Sequence, residues 1–386
     1  MRARHGSSGE RRQRQRRSRS AEERESVARS LGLGLITGAA DDDPSAIGTY
    51  ATAGARLGPS FLWAPPVLCP MMFAVVYLSA KLGLVSGKGL FGVIRDHYPR
   101  WILYPALIGV IIGNTFEAGA DLGGMAAAMN VLMPGVPFRA MVIVIAAIVL
   151  TLQIAGSYVL IRNIFRWLSL SLFAYVGAAL MAKPQLAEVI RGTLIPTLKF
   201  NTETLALLVA VVGTTLSAYL YTWQSNEEVE EQIAAGKRRL DDRKGVTREE
   251  LADSRRDVLF GMFFSSIIMY FIMLSTASTL HRIGRNVNSA ADAAEALRPL
   301  AGNWAGILFA AGVVAVGFLA VPVMTTGAAY DLAQTVGWKH GLSVKARDAK
   351  PFYIAIVVVT LAGAAVNFIG LNPMKVLVWS GIVQGF

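Results

Sequence analysis

Residues 31–48 read LGLGLITGAADDDPSAIG, and the middle of that stretch decides the fold. The apolar residues 31–36 and the small apolar residues 46–55 would join into one buried helix if nothing interrupted them. Asp41, Asp42, Asp43 and Pro44 stand between them. A carboxylate near the centre of a bilayer costs about 3 kcal/mol or more unless it lines a cavity or meets a partner. Pro44 cannot donate to a helix ladder, and Gly38 and Gly48 around it favour unwinding. Broken helices of this kind place carboxylates and freed carbonyl oxygens around a cation. A local alternative is that the first helix begins only after Pro44, with the aspartates as its N-terminal cap.

The rest of the chain puts that interruption inside a membrane. Of 386 residues 54% are hydrophobic and only 16% charged. The apolar residues gather in ten segments, at 31–58, 61–83, 101–130, 138–156, 167–182, 204–225, 257–280, 303–336, 351–369 and 373–386. A run of about 20 apolar residues matches the hydrocarbon thickness, because a helix rises ~1.5 Å per residue. Only helices satisfy their own backbone in lipid, and the alternation of an outer-membrane strand is absent. The expected fold class is therefore an all-α polytopic membrane protein. The last segment is short for a full span, which leaves either an early stop or a short helix enclosed by its neighbours.

The net charge of +11 points away from nucleic acid once its placement is considered. Much of it lies in an Arg-rich head, residues 1–30, expected to be a disordered cytoplasmic tail lying near anionic lipid. The apolar residues after it run straight into Asp41, which is no cleavage site. With the N-terminus inside, the cytoplasmic loops carry Lys88, Arg95 and Arg100, then Arg162 and Arg166, then Lys237 to Arg248, then Lys339 to Lys350. The opposite loops hold far fewer basic residues, so the N-terminus is expected in the cytoplasm. The polar stretch 226–257 reads as a solvated amphipathic linker, with Thr247 and Glu250 as a capping box opening a short cytoplasmic helix. Cys69 is the single cysteine, so no thiolate cluster can form. No phosphate-binding loop, nucleophile elbow or zinc-ligand spacing occurs, which argues against an enzyme and against a resident cofactor.

A second weak point lies in the sixth segment, where residues 212–226 read VGTTLSAYLYTWQSN. Gly213, Thr214, Thr215 and Ser217 form a polar cluster in mid-span, continued by Tyr219, Tyr221 and Gln224. Segments one and six would each start a half of a five-plus-five inverted repeat, about 31–182 and about 204–386. Paired interruptions at matching places point to a midplane binding site. The competing account is ordinary Gly, Ser and Thr helix packing. In the third segment Glu117 and Asp121 are four residues apart and share a helix face. They read either as a proton pathway or as a structural pair, while Gly119 and Gly123 read as helix-packing positions. His5, His97, His281 and His340 all lie in the tail or in loops.

On these residues the chain resembles the Nramp family of proton-coupled metal transporters. Asp43-Pro44-Ser45 is similar to the family's Asp-Pro-Gly-Asn signature, and more closely to the Asp-Asp-Asp-Pro-Ser branch of bacterial Nramp-related proteins. Residues 213–225 resemble the family's Gly-Ala-Thr-Val-Met-Pro-His segment, and 318–330 and 372–380 also look like that branch. The resemblance implies a LeuT-like bundle with discontinuous helices one and six, moving divalent metal cations by alternating access. It implies a bacterial inner membrane as the location. It places Asp43 as the metal-binding aspartate and Thr214 where a backbone carbonyl coordinates, with Asp121 at an acidic proton-pathway position. Ala46 stands in place of an amide ligand, Ser217 in place of methionine, Ala218 of proline and Tyr219 of histidine.

Those departures change the chemistry. A thioether favours transition metals, whereas Ser217 offers a hard oxygen and Asp42 a further carboxylate. The expected metal set is Asp43, Asp42, Thr214 and Ser217, lined by Ala46, Tyr219 and Gln224, with manganese or magnesium as cargo. The partners are then a divalent metal ion and the lipid bilayer. Protons stay open as a coupling ion, since the family's histidine relay is missing. Two rival readings are a same-fold transporter of another substrate, such as an amino acid, and a non-transporting metal sensor or scaffold.

The topology is directly testable. In a chain with Cys69→Ser, cysteines placed at Ser20 and at Gly245 should resist an impermeant thiol reagent added outside intact cells. Labelling at either position would invert the orientation.

Overall fold

The computed structural model describes residues 33–155 and 172–385, and all regular elements among them are helical. The Arg-rich head, and Arg162 and Arg166, lie outside the described residues. Among the described residues five helical stretches are long and apolar enough to cross a membrane, and two shorter apolar helices accompany them. The large apolar side chains that remain exposed face outward along these helices, among them Leu78, Ile112, Ile143 and Val358. A stripe of that size on the outside of a bundle is what lipid covers.

The first segment is two helices. Helix α1 (Leu33–Asp41) ends at the aspartates, and α2 (Pro44–Leu57) begins on Pro44. Both sequence readings are therefore half right. Asp43 does cap a helix that starts at the proline, but another helix precedes it, so the carboxylates sit at a mid-segment break. Pro44 occupies the first turn of α2, where its missing N–H costs nothing. Next come α3 (Ala64–Ser86), the short α4 (Leu90–His97), α5 (Arg100–Leu132) and α6 (Phe138–Ala155). Further along stand α7 (Phe173–Met181) and the short α8 (Leu186–Leu194).

The sixth segment is also broken. Helix α9 (Thr202–Thr215) stops at Leu216, and α10 (Ala218–Ala234) starts after Ser217, whose φ of −56° and ψ of 138° are not helical. The remaining spans are α11 (Arg248–Thr279), α12 (Ala305–Val336), α13 (Lys350–Val366) and α14 (Pro373–Gln384). Helix α14 has 12 residues and packs against α9, α5 and α2. Helix α11 packs on both halves of the first break, and α5 packs on α12, α13 and α14.

Two expectations for the polar stretch 226–257 need correction. Helix α10 runs on to Ala234, and Asn226, Glu227, Glu228 and Gln232 in it are buried, so charge there does not mean solvation. Ser254 Oγ donates to Glu228 Oε1 at 2.7 Å, which shows how a neighbouring helix satisfies one of these acids. The Thr247–Glu250 capping box is present, but it opens a helix of 32 residues that continues into the span. The short amphipathic helices α4 and α8 carry no apolar run, which is why hydropathy alone misses them.

Gly119 and Gly123 are packing positions, as expected. A Cβ on Gly119 would lie 2.4 Å from Gly363 O, and one on Gly123 would lie 2.1 Å from Asn367 Oδ1. The α5–α13 crossing thus brings backbone to backbone. Gly119→Ala should cost about 1–3 kcal/mol through forced separation of these helices. Gly109→Ala on the same helix meets nothing within 4 Å and should be neutral or mildly stabilising. Thermal unfolding of both variants in detergent, against the parent, decides this.

Candidate metal centre

The two helix breaks face each other, and the first turn of α2 is the hub. Asp43 is its N-cap: Asp43 Oδ1 accepts from Ala46 N at 2.6 Å and from Ser45 Oγ at 2.8 Å. Asp121 on α5 takes the next free amide, accepting from Ser45 N at 2.9 Å. Two carboxylates at one helix N-terminus suit its exposed N–H groups and its positive dipole end. Tyr219 Oη, from the first turn of α10, lies 3.0 Å from Asp43 Oδ2 and 2.8 Å from Ala40 O. It therefore ties the second break to both halves of the first.

On the other side, α9 ends with carbonyls that the break releases from the helix ladder. Ser217 Oγ donates to Gly213 O at 2.9 Å and lies 3.3 Å from Thr214 O. The same hydroxyl lies 3.3 and 3.4 Å from the two carboxylate oxygens of Glu117. Glu117 also sits 3.4 Å from Ser45 Oγ and accepts from Gln384 Nε2 of α14 at 2.8 Å. The chain Asp43, Ser45, Glu117, Ser217 thus closes across the gap between the breaks. Thr214 contributes its carbonyl here, while its hydroxyl is buried without a hydrogen-bond partner.

Asp41, Asp42, Asp43, Glu117 and Asp121 are all fully buried. No ion pair joins any of them to Lys, Arg or His among the described residues. The three aspartates do not point the same way, because successive residues leaving a helix end turn their side chains in different directions. Ser265 of α11 donates to Asp41 Oδ2 and lies 3.4 Å from Asp42 Oδ1. Asp41 Oδ1, Asp42 Oδ2 and Asp121 Oδ2 have no hydrogen-bond partner.

The expected residues separate into groups on these contacts. Asp43, Thr214, Ser217, Ala46 and Tyr219 gather at the breaks, and Glu117 and Asp121 join them through Ser45. Ala46 takes part through its amide only. Asp42 turns toward Ser265, away from the contacts that tie Asp43 to Ser217. Gln224 stands apart: its Oε1 accepts from Thr37 Oγ1 at 2.7 Å and its Nε2 donates to Glu228 Oε1 at 3.2 Å. Ser45, Ser265 and Gln384 were not singled out from the sequence. Ser45 could have been, as the hydroxyl directly after the Asp-Pro pair. Among the described residues no three His, Cys, Asp or Glu side chains converge as a metal cage. An ion here would be held by one or two carboxylates, hydroxyls and backbone carbonyls, all of them hard oxygens.

Neither neighbouring cavity is lined by Asp43, Glu117 or Ser217. One, about 720 Å3, is lined by Thr52, Arg56, Glu203, Asn372 and Trp379 among others. The other, about 420 Å3, lies along the second half of α10 beside Asn226, Glu230, Tyr330 and Gln334. The side chains of the central cluster are buried.

The model of the family described as natural resistance-associated macrophage protein-like, Nramp, matches residues 34–386. A divalent metal cation transporter MntH of Klebsiella pneumoniae is 27% identical over 355 residues, covering 89% of this chain and 79% of that protein. The protein of the same name from Deinococcus radiodurans is 27% identical over 365 residues, covering 92% and 78%. Among solved structures, a mutant of the Eremococcus coleocola manganese transporter superposes with a TM-score of 0.67 at 16% identity, over 93% of this chain and 76% of that one. Mhp1, a nucleobase-cation-symport-1 family transporter, gives 0.60 at 15% identity, over 90% and 74%. The fold is thus the LeuT-like one that the resemblance implies.

The hub makes a separable prediction for Asp43. Asn at this position keeps a capping oxygen but removes the charge. Asp43→Asn should retain the folded bundle yet weaken manganese binding, measured by calorimetry, by roughly a hundredfold, about 2.7 kcal/mol. Asp41→Ala should weaken it less, because Asp41 faces Ser265. Near-parental affinity in Asp43→Asn would move the site away from the α2 N-terminus.

Proposed function

This chain belongs to the Nramp family, and from that membership we propose that it carries divalent metal cations across a membrane by alternating access. The single observation that supports this most is the closed chain of oxygens from Asp43 through Glu117 to Ser217 and the α9 carbonyls. It lies at both helix breaks, is fully buried, and is flanked by a cavity on either side. One cation would sit there, with Asp43 as the main charged ligand, Ser217 and the Thr214 carbonyl opposite, and Glu117 within reach. A dication in so dry a setting gains most from carboxylates, since Coulombic attraction rises as the dielectric falls.

The same charge disfavours an amino-acid substrate. The helix N-terminus at the first break, which would receive a substrate carboxylate, is already taken by Asp43 and Asp121. A sensor that binds without transport is separated by flux into proteoliposomes, where we expect uptake of the ion. The membrane we assign is the bacterial inner membrane, with the N-terminus in the cytoplasm, by the Lys and Arg placement.

Selectivity follows from the donor atoms. With Ser217 in place of a thioether, no ligand at the breaks gives a soft-ion advantage, so manganese and magnesium should compete within about an order of magnitude. A serine side chain is also short enough to leave a partly hydrated magnesium its waters. Ser217→Met should shift the preference toward manganese and cadmium at the expense of magnesium, by roughly tenfold or about 1.4 kcal/mol. Competition uptake of manganese against magnesium, parent beside Ser217→Met, measures this. A parent that already excludes magnesium in large excess overturns the hard-site reading while leaving metal transport standing.

A further inference from the structure

Helix α8 is too short to span a bilayer, and its nine residues divide into three faces. Val189 and Gly192, three residues apart, face the bundle. Val189 packs on the core, and a Cβ on Gly192 would lie 1.9 Å from Pro59 O. Pro59 belongs to the 3-10 turn Gly58–Phe61, which directly follows α2 and on which α8 packs. Glu188 and Arg191 form a second face, charged and exposed. Leu186, Ile190 and Leu194, each four residues from the next, form the third, and they are 72%, 57% and 73% exposed. A helix enclosed by protein has no use for the charged face, and a helix surrounded by water has no use for the apolar one.

The neighbours of α8 say what covers the apolar face. Thr193 Oγ1 lies 2.8 Å from Tyr270 Oη of α11. Tyr270 stands two turns beyond Phe263 on the same side of α11, and Phe263 is part of the exposed apolar surface on the outside of the bundle. Helix α7 ends with Leu180 and Met181 exposed, and α3, which follows the Gly58–Phe61 turn, begins its own exposed stripe with Val67 and Met71. The apolar face of α8 thus continues the wall that lipid covers, and no residue of α8 lines the cavity beside Arg56. Trp63 and Tyr270, close to α8 and the turn, are of the kind that collects where hydrocarbon meets water. Lys183, Arg191 and Lys199 outnumber Glu188 along this segment, which favours anionic headgroups.

We propose that α8 is a membrane-surface helix. It lies along the bilayer interface, with Leu186, Ile190 and Leu194 about 5–10 Å into the boundary between headgroups and acyl chains and with Glu188 and Arg191 in water. Its close approach at Gly192 ties the Gly58–Phe61 turn, and with it the end of α2, to the plane of the membrane. The other end of α2 is capped by Asp43, so the bilayer surface bears directly on the half-helix at the first break. The inference does not depend on which ion the central cluster carries.

The test uses the full chain with Cys69→Ser in vesicles of phosphatidylethanolamine and phosphatidylglycerol. An environment-sensitive fluorophore is attached through Ile190→Cys, Leu194→Cys or Glu188→Cys, all exposed positions that the bundle should tolerate. At 190 and 194 it should be quenched several-fold more by lipids with a nitroxide near the top of the acyl chain than by lipids with one near its end. Iodide in the water should quench it several-fold less there than at 188. Equal iodide quenching at the three positions overturns the proposal. Stronger quenching at 190 and 194 by the deep nitroxide overturns it too, since the helix would then be sunk in hydrocarbon. So does protection of both positions from iodide and from both nitroxides, which would mean that a protein surface such as a second copy of the chain covers the face. Metal uptake plays no part in the readout, so a failure here leaves the transport reading standing.

Discussion

A carboxylate taken out of water must find hydrogen-bond donors or positive charge, and this bundle takes five out of water around one pair of helix breaks. Donors satisfy part of the demand. The first turn of α2 gives Ser45 N to Asp121 and Ala46 N to Asp43; Tyr219, Ser265 and Gln384 each add a donor to a different acid. Those donors come from α2, α10, α11 and α14, so the acids hold together elements far apart in the chain. No basic partner among the described residues meets the remaining charge, which is the demand the proposed cation would satisfy.

The breaks are what make this possible. An unbroken helix hides its N–H and C=O groups from any ligand, because each is bonded one turn away. Interrupting the first segment at Asp42 and Asp43 exposes the N–H groups that begin α2. Interrupting the sixth at Leu216 and Ser217 exposes the carbonyls that end α9. The first set anchors the acids and the second would face the proposed ion. A single break would supply only one of these, and the carboxylates would then be either unanchored or without neutral oxygens to complete a coordination shell.

How much of this is legible in the sequence depends on how local each cause is. The breaks are legible because Pro44, the aspartates and the Gly-Thr-Thr cluster act on their own backbone. The same-face placement of Glu117 and Asp121 follows from helical spacing alone, and the structure brings both to Ser45. The turning of Asp42 toward Ser265 is not legible, since it depends on the dihedral angles of two residues at a break and on which helix lies beside them. Gln384 is out of reach for the same reason: it meets Glu117 across 267 positions of chain. The stretch 226–234 misleads in the opposite direction. Charged residues normally mean solvent, but Glu228 finds Ser254 and Gln224 inside the bundle.

The contacts on the two sides differ in kind, and that difference bears on the proposed alternating access. On the side of the 720 Å3 cavity, α2 and α9 are joined by Arg56 and Glu203 at 2.8 Å, a pair whose side chains are 35% and 55% exposed. Exposed pairs of this sort contribute on the order of 0–1 kcal/mol and weaken with salt. On the other side, Thr37, Gln224, Glu228 and Ser254 form a hydrogen-bonded series that ties α1, α10 and the start of α11. Its members from α10 are buried, so separating them would leave polar groups unpaired in a low dielectric. Opening toward Arg56 would therefore break a contact that water readily replaces, while opening toward Glu228 would require water to enter first. A cation bound at Asp43 offsets part of the second cost only if the rearranged α1 and α10 hold it more tightly than the sealed form does.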